Sequence, residues 1–147
     1  MPSRLYLRPL YQPGRSPIHG RGLVLVVDDE EGVRQVVRSM LTSLGYQVVL
    51  AGNGREAVEY YEARGSEIDL VILDLTMPAM DGETCFDELR KQNPGIRVIV
   101  STGHAVDQTA QRLLDRGARG FVQKPFVKTE LSEAVAQALS GAVKPDR

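Results

Sequence analysis

The stretch LVLVVDDEEGVRQVVRSMLTSLGYQVVLA, residues 23–51, decides the fold. It opens on an apolar, β-branched run from Leu23 to Val27 that is closed by two acids, Asp28 and Asp29. Val33, Val36, Val37, Met40, Leu41 and Leu44 then recur at helical spacing, and Gly45 supplies a natural stop. A second short run, Gln47 to Ala51, follows. Short apolar runs of this kind suit parallel strands buried on both faces, joined here by a crossover helix.

Working outward, the same alternation repeats along the chain. The turn Gly52-Asn53-Gly54 leads to a helix from about Arg55 to Arg64, with Ala57, Val58 and Tyr61 inward. Leu70 to Leu73 form a third run that ends at Asp74, residues 75–82 form a loop, and a helix from about Glu83 to Lys91 buries Cys85, Phe86 and Leu89. After the turn Asn93-Pro94-Gly95 comes a fourth run, Val98 to Val100, closed by Ser101. A helix from about Asp107 to Arg116 turns Ala110, Leu113 and Leu114 inward and ends at Gly117. The fifth strand runs from Gly120 to Gln123 and meets Lys124-Pro125. Residues 129–139 form a last helix that Thr129 is placed to cap. Alternating strands and helices predict an α/β, doubly wound parallel sheet. Ligands of open α/β sheets sit beyond the carboxyl ends of the strands, so Asp28, Asp29, Asp74, Ser101 and Lys124 should meet at one spot.

Composition limits what such a site can serve. The chain has 147 residues, 42% of them hydrophobic and 25% charged, which fits one soluble globular domain with tails. Its formal charge of −1 argues against generic nucleic-acid binding, and no apolar stretch is long enough to suggest a membrane span. The single cysteine, Cys85, excludes an internal disulfide and a cysteine-based zinc site. A cytoplasmic setting follows as the expectation. Residues 1–22 hold four arginines, no acid and four of the eight prolines, and read as a flexible leader or linker. The expected organisation is therefore a leader at 1–22, one domain at 23–139 and a patternless tail at 140–147.

Three carboxylates in one cleft repel one another and raise at least one pKa unless a cation is present. Mg²⁺ answers that need, because it takes hard oxygen ligands and keeps several waters. It also offsets the charge that develops in phosphoryl transfer. Lys124 and Ser101 at the neighbouring strand ends strengthen the pattern.

Residues 23 to about 139 resemble a receiver domain of two-component response regulators. The likeness is carried by LVLVVDDEEGVR, DLVILDLTMPAMDGE, VIVSTGH and GFVQKPF, which occur in the family's order. It implies a flavodoxin-like, five-stranded sheet of order 2-1-3-4-5. It implies Asp74 as phosphoacceptor, Asp29 as direct Mg²⁺ ligand, Asp28 acting through a metal-bound water, and the backbone carbonyl of Thr76 as a further ligand, with Mn²⁺ an acceptable substitute. Lys124 matches the lysine that pairs with the acids and then with the phosphoryl oxygens, after a family-typical cis bond to Pro125. Ser101 matches the hydroxyl that turns to the phosphoryl group, and Phe121 the aromatic switch that follows it inward. Thr76 and Gly103 match the positions that tune dephosphorylation. His104 reads as a surface or helix-start residue.

The resemblance also implies partners: a histidine kinase or histidine phosphotransfer protein as donor, and a downstream protein docking on the surface of the fourth helix, fifth strand and fifth helix. Self-association is a further expectation. The wording is most similar to receivers at the carboxyl end of hybrid sensor histidine kinases, with a single-domain regulator as the main alternative. A receiver fold used as a phosphorylation-independent interaction module is the competing function. A phosphatase with an aspartate nucleophile would need a second acid two residues on, and Asp74-Leu75-Thr76 lacks it.

Overall fold

Five parallel strands form the sheet: β1 (Leu23–Val27), β2 (Gln47–Ala51), β3 (Leu70–Asp74), β4 (Val98–Thr102) and β5 (Gly120–Gln123). Their order is β2-β1-β3-β4-β5. The computed structural model describes residues 16–77, 80–103 and 108–140. Five helices cross between or follow the strands: α1 (Glu31–Ser43), α2 (Gly54–Arg64), α3 (Gly82–Gln92), α4 (Gln108–Asp115) and α5 (Lys128–Leu139), with a 3₁₀ turn at Gly65–Glu67. The doubly wound sheet expected from the sequence is therefore present.

Alternation along the central strands splits the core into two layers. Leu25, Val27, Val71, Leu73, Val98 and Val100 face one way and meet Ala57 and Tyr61 of α2, Cys85, Phe86 and Leu89 of α3, and Leu113 of α4. Val24, Val26, Leu70, Ile72 and Ile99 face the other way, against Val37 and Leu41 of α1 and Leu131 and Val135 of α5. Each fully buried large side chain contributes about 1.5–3 kcal/mol, so both faces are needed to hold the sheet. β3 is buried at all five positions. It runs through the middle of the sheet and ends at Asp74.

Helix ends follow local chemistry. The Asn53 side chain accepts from the Glu56 N–H and the Asp81 side chain from the Thr84 N–H, so α2 and α3 each begin on a capping oxygen. Gly45 takes φ +107°, a left-handed conformation that ends the α1 segment, and a side chain there would strike the Gly20 carbonyl.

Two details of the sequence reading need correcting. Thr129 does not cap the last helix; α5 begins at Lys128, and the cap position is held by Val127, whose side chain makes no cap bond. Val36 does not join the inward stripe of α1 but is 49% exposed, because Val33, Val37, Leu41 and Leu44 define the stripe and Val36 lies to one side.

Residues 16–22 lie against the amino-terminal end of the sheet. The Ile18 N–H donates to Ser132 Oγ at 2.9 Å, and the Gly20 N–H donates to the Leu44 carbonyl at 2.9 Å. The Leu23 N–H donates to Asp69 Oδ2 at 2.8 Å. The expected leader residues 1–15 and tail residues 141–147 lie outside the described residues, as do Pro78, His104 and Asp107.

Candidate functional site

The register of the sheet assembles the site. Asp74 ends β3 and pairs directly with Ser101 of β4, while Asp28 follows β1 and donates its N–H to the Ala51 carbonyl at 3.1 Å. Lys124 follows β5 and is tied to the end of β4 by its N–H to the Thr102 carbonyl at 2.9 Å. Its peptide bond to Pro125 is cis. Three strand ends thus point three charged side chains at one place.

Lys124 Nζ stands 2.7 Å from Asp28 Oδ2 and 3.4 Å from Asp74 Oδ2. Asp74 is 1% exposed and Asp28 2%, so each carboxylate needs fixed partners. Asp74 Oδ1 accepts from the Thr76 N–H at 3.0 Å and the Thr76 hydroxyl at 3.1 Å. Asp28 Oδ1 accepts from the Glu30 N–H at 2.9 Å. Asp29, by contrast, is exposed at the mouth of the cleft.

Electrostatics follow from burial. Desolvation raises the Asp28 pKa, opposed by the hydrogen bonds from Lys124 and Glu30 and reinforced by the charge of Asp74. For Lys124 burial acts to lower the pKa, but the hydrogen bond to Asp28 and the charges of Asp74 and Asp28 outweigh it and hold the ammonium above its ordinary value. The lysine is therefore a firmly charged group facing two buried acids.

Ligand oxygens of Asp28, Asp29 and Asp74 all lie within 4.8 Å of one another. Oxygens on opposite sides of one Mg²⁺ stand about 4.2 Å apart, so the three carboxylates span the dimension such an ion needs. The all-oxygen donor set, with one member open to solvent, suits a hard cation that keeps part of its water shell.

Residues 24–136 match the family model described as the response regulator receiver domain. The chain belongs to the response regulator receiver family. Among relatives of this receiver, the sensor kinase CckA of Brucella abortus is 41% identical over 122 residues, which is 83% of this chain and 13% of the kinase. The chemotaxis protein CheY of Treponema pallidum is 32% identical over 127 residues, 86% of this chain and 88% of CheY. The transcriptional regulatory protein GlrR of Escherichia coli is 37% identical over 82% of this chain and 27% of the regulator. The receiver thus spans a small part of two of these proteins and most of the third. A response regulator receiver domain protein from Clostridium thermocellum superimposes with TM-score 0.77 at 30% identity, covering 81% of this chain and 94% of that one. The CheY-like fold, order 2-1-3-4-5, is shared. The receiver is a signalling module rather than an enzyme in the ordinary sense, and its acidic pocket has the composition that phosphoacceptor signalling uses.

Most of the residues singled out in the sequence meet in this receiver's cleft: Asp28, Asp74 and Lys124 by direct contact, Asp29 by ligand distance, Ser101 by register. Thr76 and Gly103 are exposed beside it. Phe121 is half-buried on β5, where it packs on the layer shared with α3 and α4. Sequence reading missed Arg34, whose Nη1 donates to the Asp28 carbonyl at 2.8 Å. It also missed Ser132, wholly buried on α5. A serine inside the otherwise apolar Leu131-Val135-Ala138 stripe was the available signal for the latter.

Proposed function

We propose that this receiver is the phosphoacceptor switch of a two-component phosphorelay, taking a phosphoryl group from a phosphohistidine donor onto Asp74 and changing the shape of the α4–β5–α5 surface. The observation that carries the reading is the meeting of Asp28, Asp74 and Lys124 at three strand ends. An Asp74 oxygen forms the bond to phosphorus while the donor's N–P bond breaks, its electron pair passing to the imidazole nitrogen. Mg²⁺ held by Asp28, Asp29, Asp74 and the Thr76 carbonyl would neutralise charge on the phosphoryl oxygens. Lys124 answers the same charge from the other side, moving from Asp28 toward the new oxygens as a flexible ammonium can.

Ser101 neighbours Asp74 in the ladder, so its hydroxyl is placed to turn to the phosphoryl group. Phe121 then moves into the space given up. Shifting such an equilibrium from 1:99 to 99:1 needs about 5.5 kcal/mol. Two charge-assisted hydrogen bonds of about 1.5–3 kcal/mol each supply much of it.

The donor is a histidine kinase or a histidine phosphotransfer protein. A groove of about 320 Å³ runs beside Lys124 and is lined by Gly32, Val33, Val36, Pro125 and Phe126. Val36 is an exposed apolar residue of this groove, which is continuous with the acidic cleft through Lys124. A helix carrying the phosphohistidine fits there, with its apolar face on the valines. The output partner reads the opposite side of β5. There α4 is tied to α3 by Arg112 and Arg116 on Glu83, and by Arg116 on Asp87.

The 41% identity to part of the sensor kinase CckA and the motif wording support an origin in a hybrid sensor kinase, and we infer that the receiver sits at its carboxyl end, in the cytoplasm. Amide NMR with beryllofluoride and Mg²⁺, a stable phosphoryl mimic, tests the switch. Shifts spreading from Asp74 to α4, β5 and α5 are expected. Changes confined to the cleft would support the phosphorylation-independent interaction module instead.

A further inference from the structure

We propose that Arg34 is a positioning residue for the metal-binding turn, and that glycine at residue 52 lets the Arg34 guanidinium lie close against the β2–α2 turn. This rests on the reading above that Asp28, Asp29 and Asp74 hold Mg²⁺.

The turn that carries Asp28 and Asp29 has little of its own to hold it. Its last residue, Glu30, occupies the cap position of α1 but makes no side-chain cap bond. The turn is fixed instead by the Glu30 N–H on Asp28 Oδ1, by the Arg34 N–H on the Glu30 carbonyl at 3.0 Å, and by Arg34 Nη1 on the Asp28 carbonyl at 2.8 Å. Arg34 therefore reaches back one turn of α1 and grips the peptide between the two acids. That peptide sets where both carboxylates point, because Asp28 sits at its carbonyl end and Asp29 at its nitrogen end.

The far side of the guanidinium rests on the β2–α2 turn. A Cβ added to Gly52 would lie 3.3 Å from Arg34 Nη1 and 3.7 Å from Cζ. Gly52 has no left-handed φ, so its backbone does not demand glycine. The tightest local constraint is the close approach of Arg34, with Glu56 Oε1 next at 3.6 Å. The Gly52 N–H is held in turn by Glu56 Oε1 at 2.6 Å, which pins the surface Arg34 lies on. A rigid planar fork suits this bridging position better than a lysine ammonium does.

Charge and positioning act on Mg²⁺ with opposite signs, which makes the proposal separable. Removing a positive charge near three carboxylates strengthens cation binding, whereas freeing the turn weakens it. Groups that orient metal ligands from behind typically matter by about 10–100-fold in affinity.

The test is Mg²⁺ titration by calorimetry of the parent, Arg34→Met, Arg34→Gln, Arg34→Lys, Gly52→Ala and Asp29→Asn, with amide exchange of Asp29 and Glu30 measured in EDTA. Arg34→Met should weaken Mg²⁺ about tenfold and speed exchange at both amides. Arg34→Gln and Arg34→Lys, each able to donate to the Asp28 carbonyl, should recover part of the loss, and Gly52→Ala should show a smaller weakening of the same sign. Arg34→Met binding Mg²⁺ as tightly as the parent, or tighter, would overturn the positioning role. A parent that binds no Mg²⁺, or Asp29→Asn binding like the parent, would overturn the metal reading itself.

Discussion

Lys124 makes its shorter ion pair with Asp28, at 2.7 Å, and stands 3.4 Å from Asp74. Before any phosphoryl group arrives, the lysine is thus held chiefly by the acid of β1 rather than by the residue proposed to react. One ammonium balances two buried carboxylates, and the Asp74 side remains the weaker of its attachments.

Replacing Lys124 by Met removes that balance. The expected cost in EDTA is about 1–3 kcal/mol, from two buried carboxylates that lose a charged partner. Mg²⁺ should restore more stability to Lys124→Met than to the parent, since a metal that no longer competes with an ammonium binds more tightly. Thermal unfolding with and without Mg²⁺ checks both. An equal or smaller Mg²⁺-dependent rise in the variant would contradict the competition.

Acid dependence is expected at the start of α3. Backbone and side-chain hydrogen bonds from Thr84 hold the Asp81 carboxyl below its usual value of 3.8. A depressed folded pKa contributes stability that is fully present above the unfolded value near 3.8 and is lost as pH falls through the folded value. Asp81→Ala should cost about 1 kcal/mol near neutrality, with the difference shrinking in strong acid. Asp81→Asn, which keeps a capping oxygen, should retain most of the stability without the acid dependence. Urea unfolding across pH decides it.

Ser132 links the segment before β1 to α5. Its hydroxyl accepts from the Ile18 N–H and donates to the Thr129 carbonyl at 2.8 Å. Ser132→Ala should cost about 1 kcal/mol and speed tryptic cleavage after Arg21, because the cleavage site lies on the released segment. Unchanged cleavage would mean that residues 16–22 are held by the backbone bonds of Gly20 to Leu44 and of Gly22 to Gln47 without need of Ser132.

Gly103 is exposed, and among the described residues a Cβ there would meet nothing within 4 Å. Gly103→Glu should therefore fold as the parent does. We expect the phosphoryl group on Asp74 to decay at a rate altered at least about twofold, since a side chain there changes how water reaches it. Identical decay at unchanged melting temperature would remove Gly103 from the tuning positions.

Much of this was legible in the sequence because burial on both faces leaves a plain mark. Leu23–Val27 and Leu70–Leu73 are unbroken apolar runs, and their closing acids are the site. The strand order was not legible from these runs, since buried strands look alike; it came with the family resemblance. Thr129 misled because a hydroxyl near a helix start resembles a cap, whereas the chain leaving Pro125 enters the helix at Lys128. Arg34 left no trace either. Its partner is a backbone carbonyl, and any residue could have supplied that. The buried thiol of Cys85, its pKa pushed up to about 12 by burial, agrees with the packing role read for it.

The most direct test of the central claim is intact mass after incubation with acetyl phosphate and Mg²⁺, run beside Asp74→Asn. A labile phosphoryl adduct on the parent and none on the variant is the expected result. A folded parent that gains no adduct, from acetyl phosphate or from a range of phosphohistidine donors, would contradict the phosphoacceptor role of Asp74.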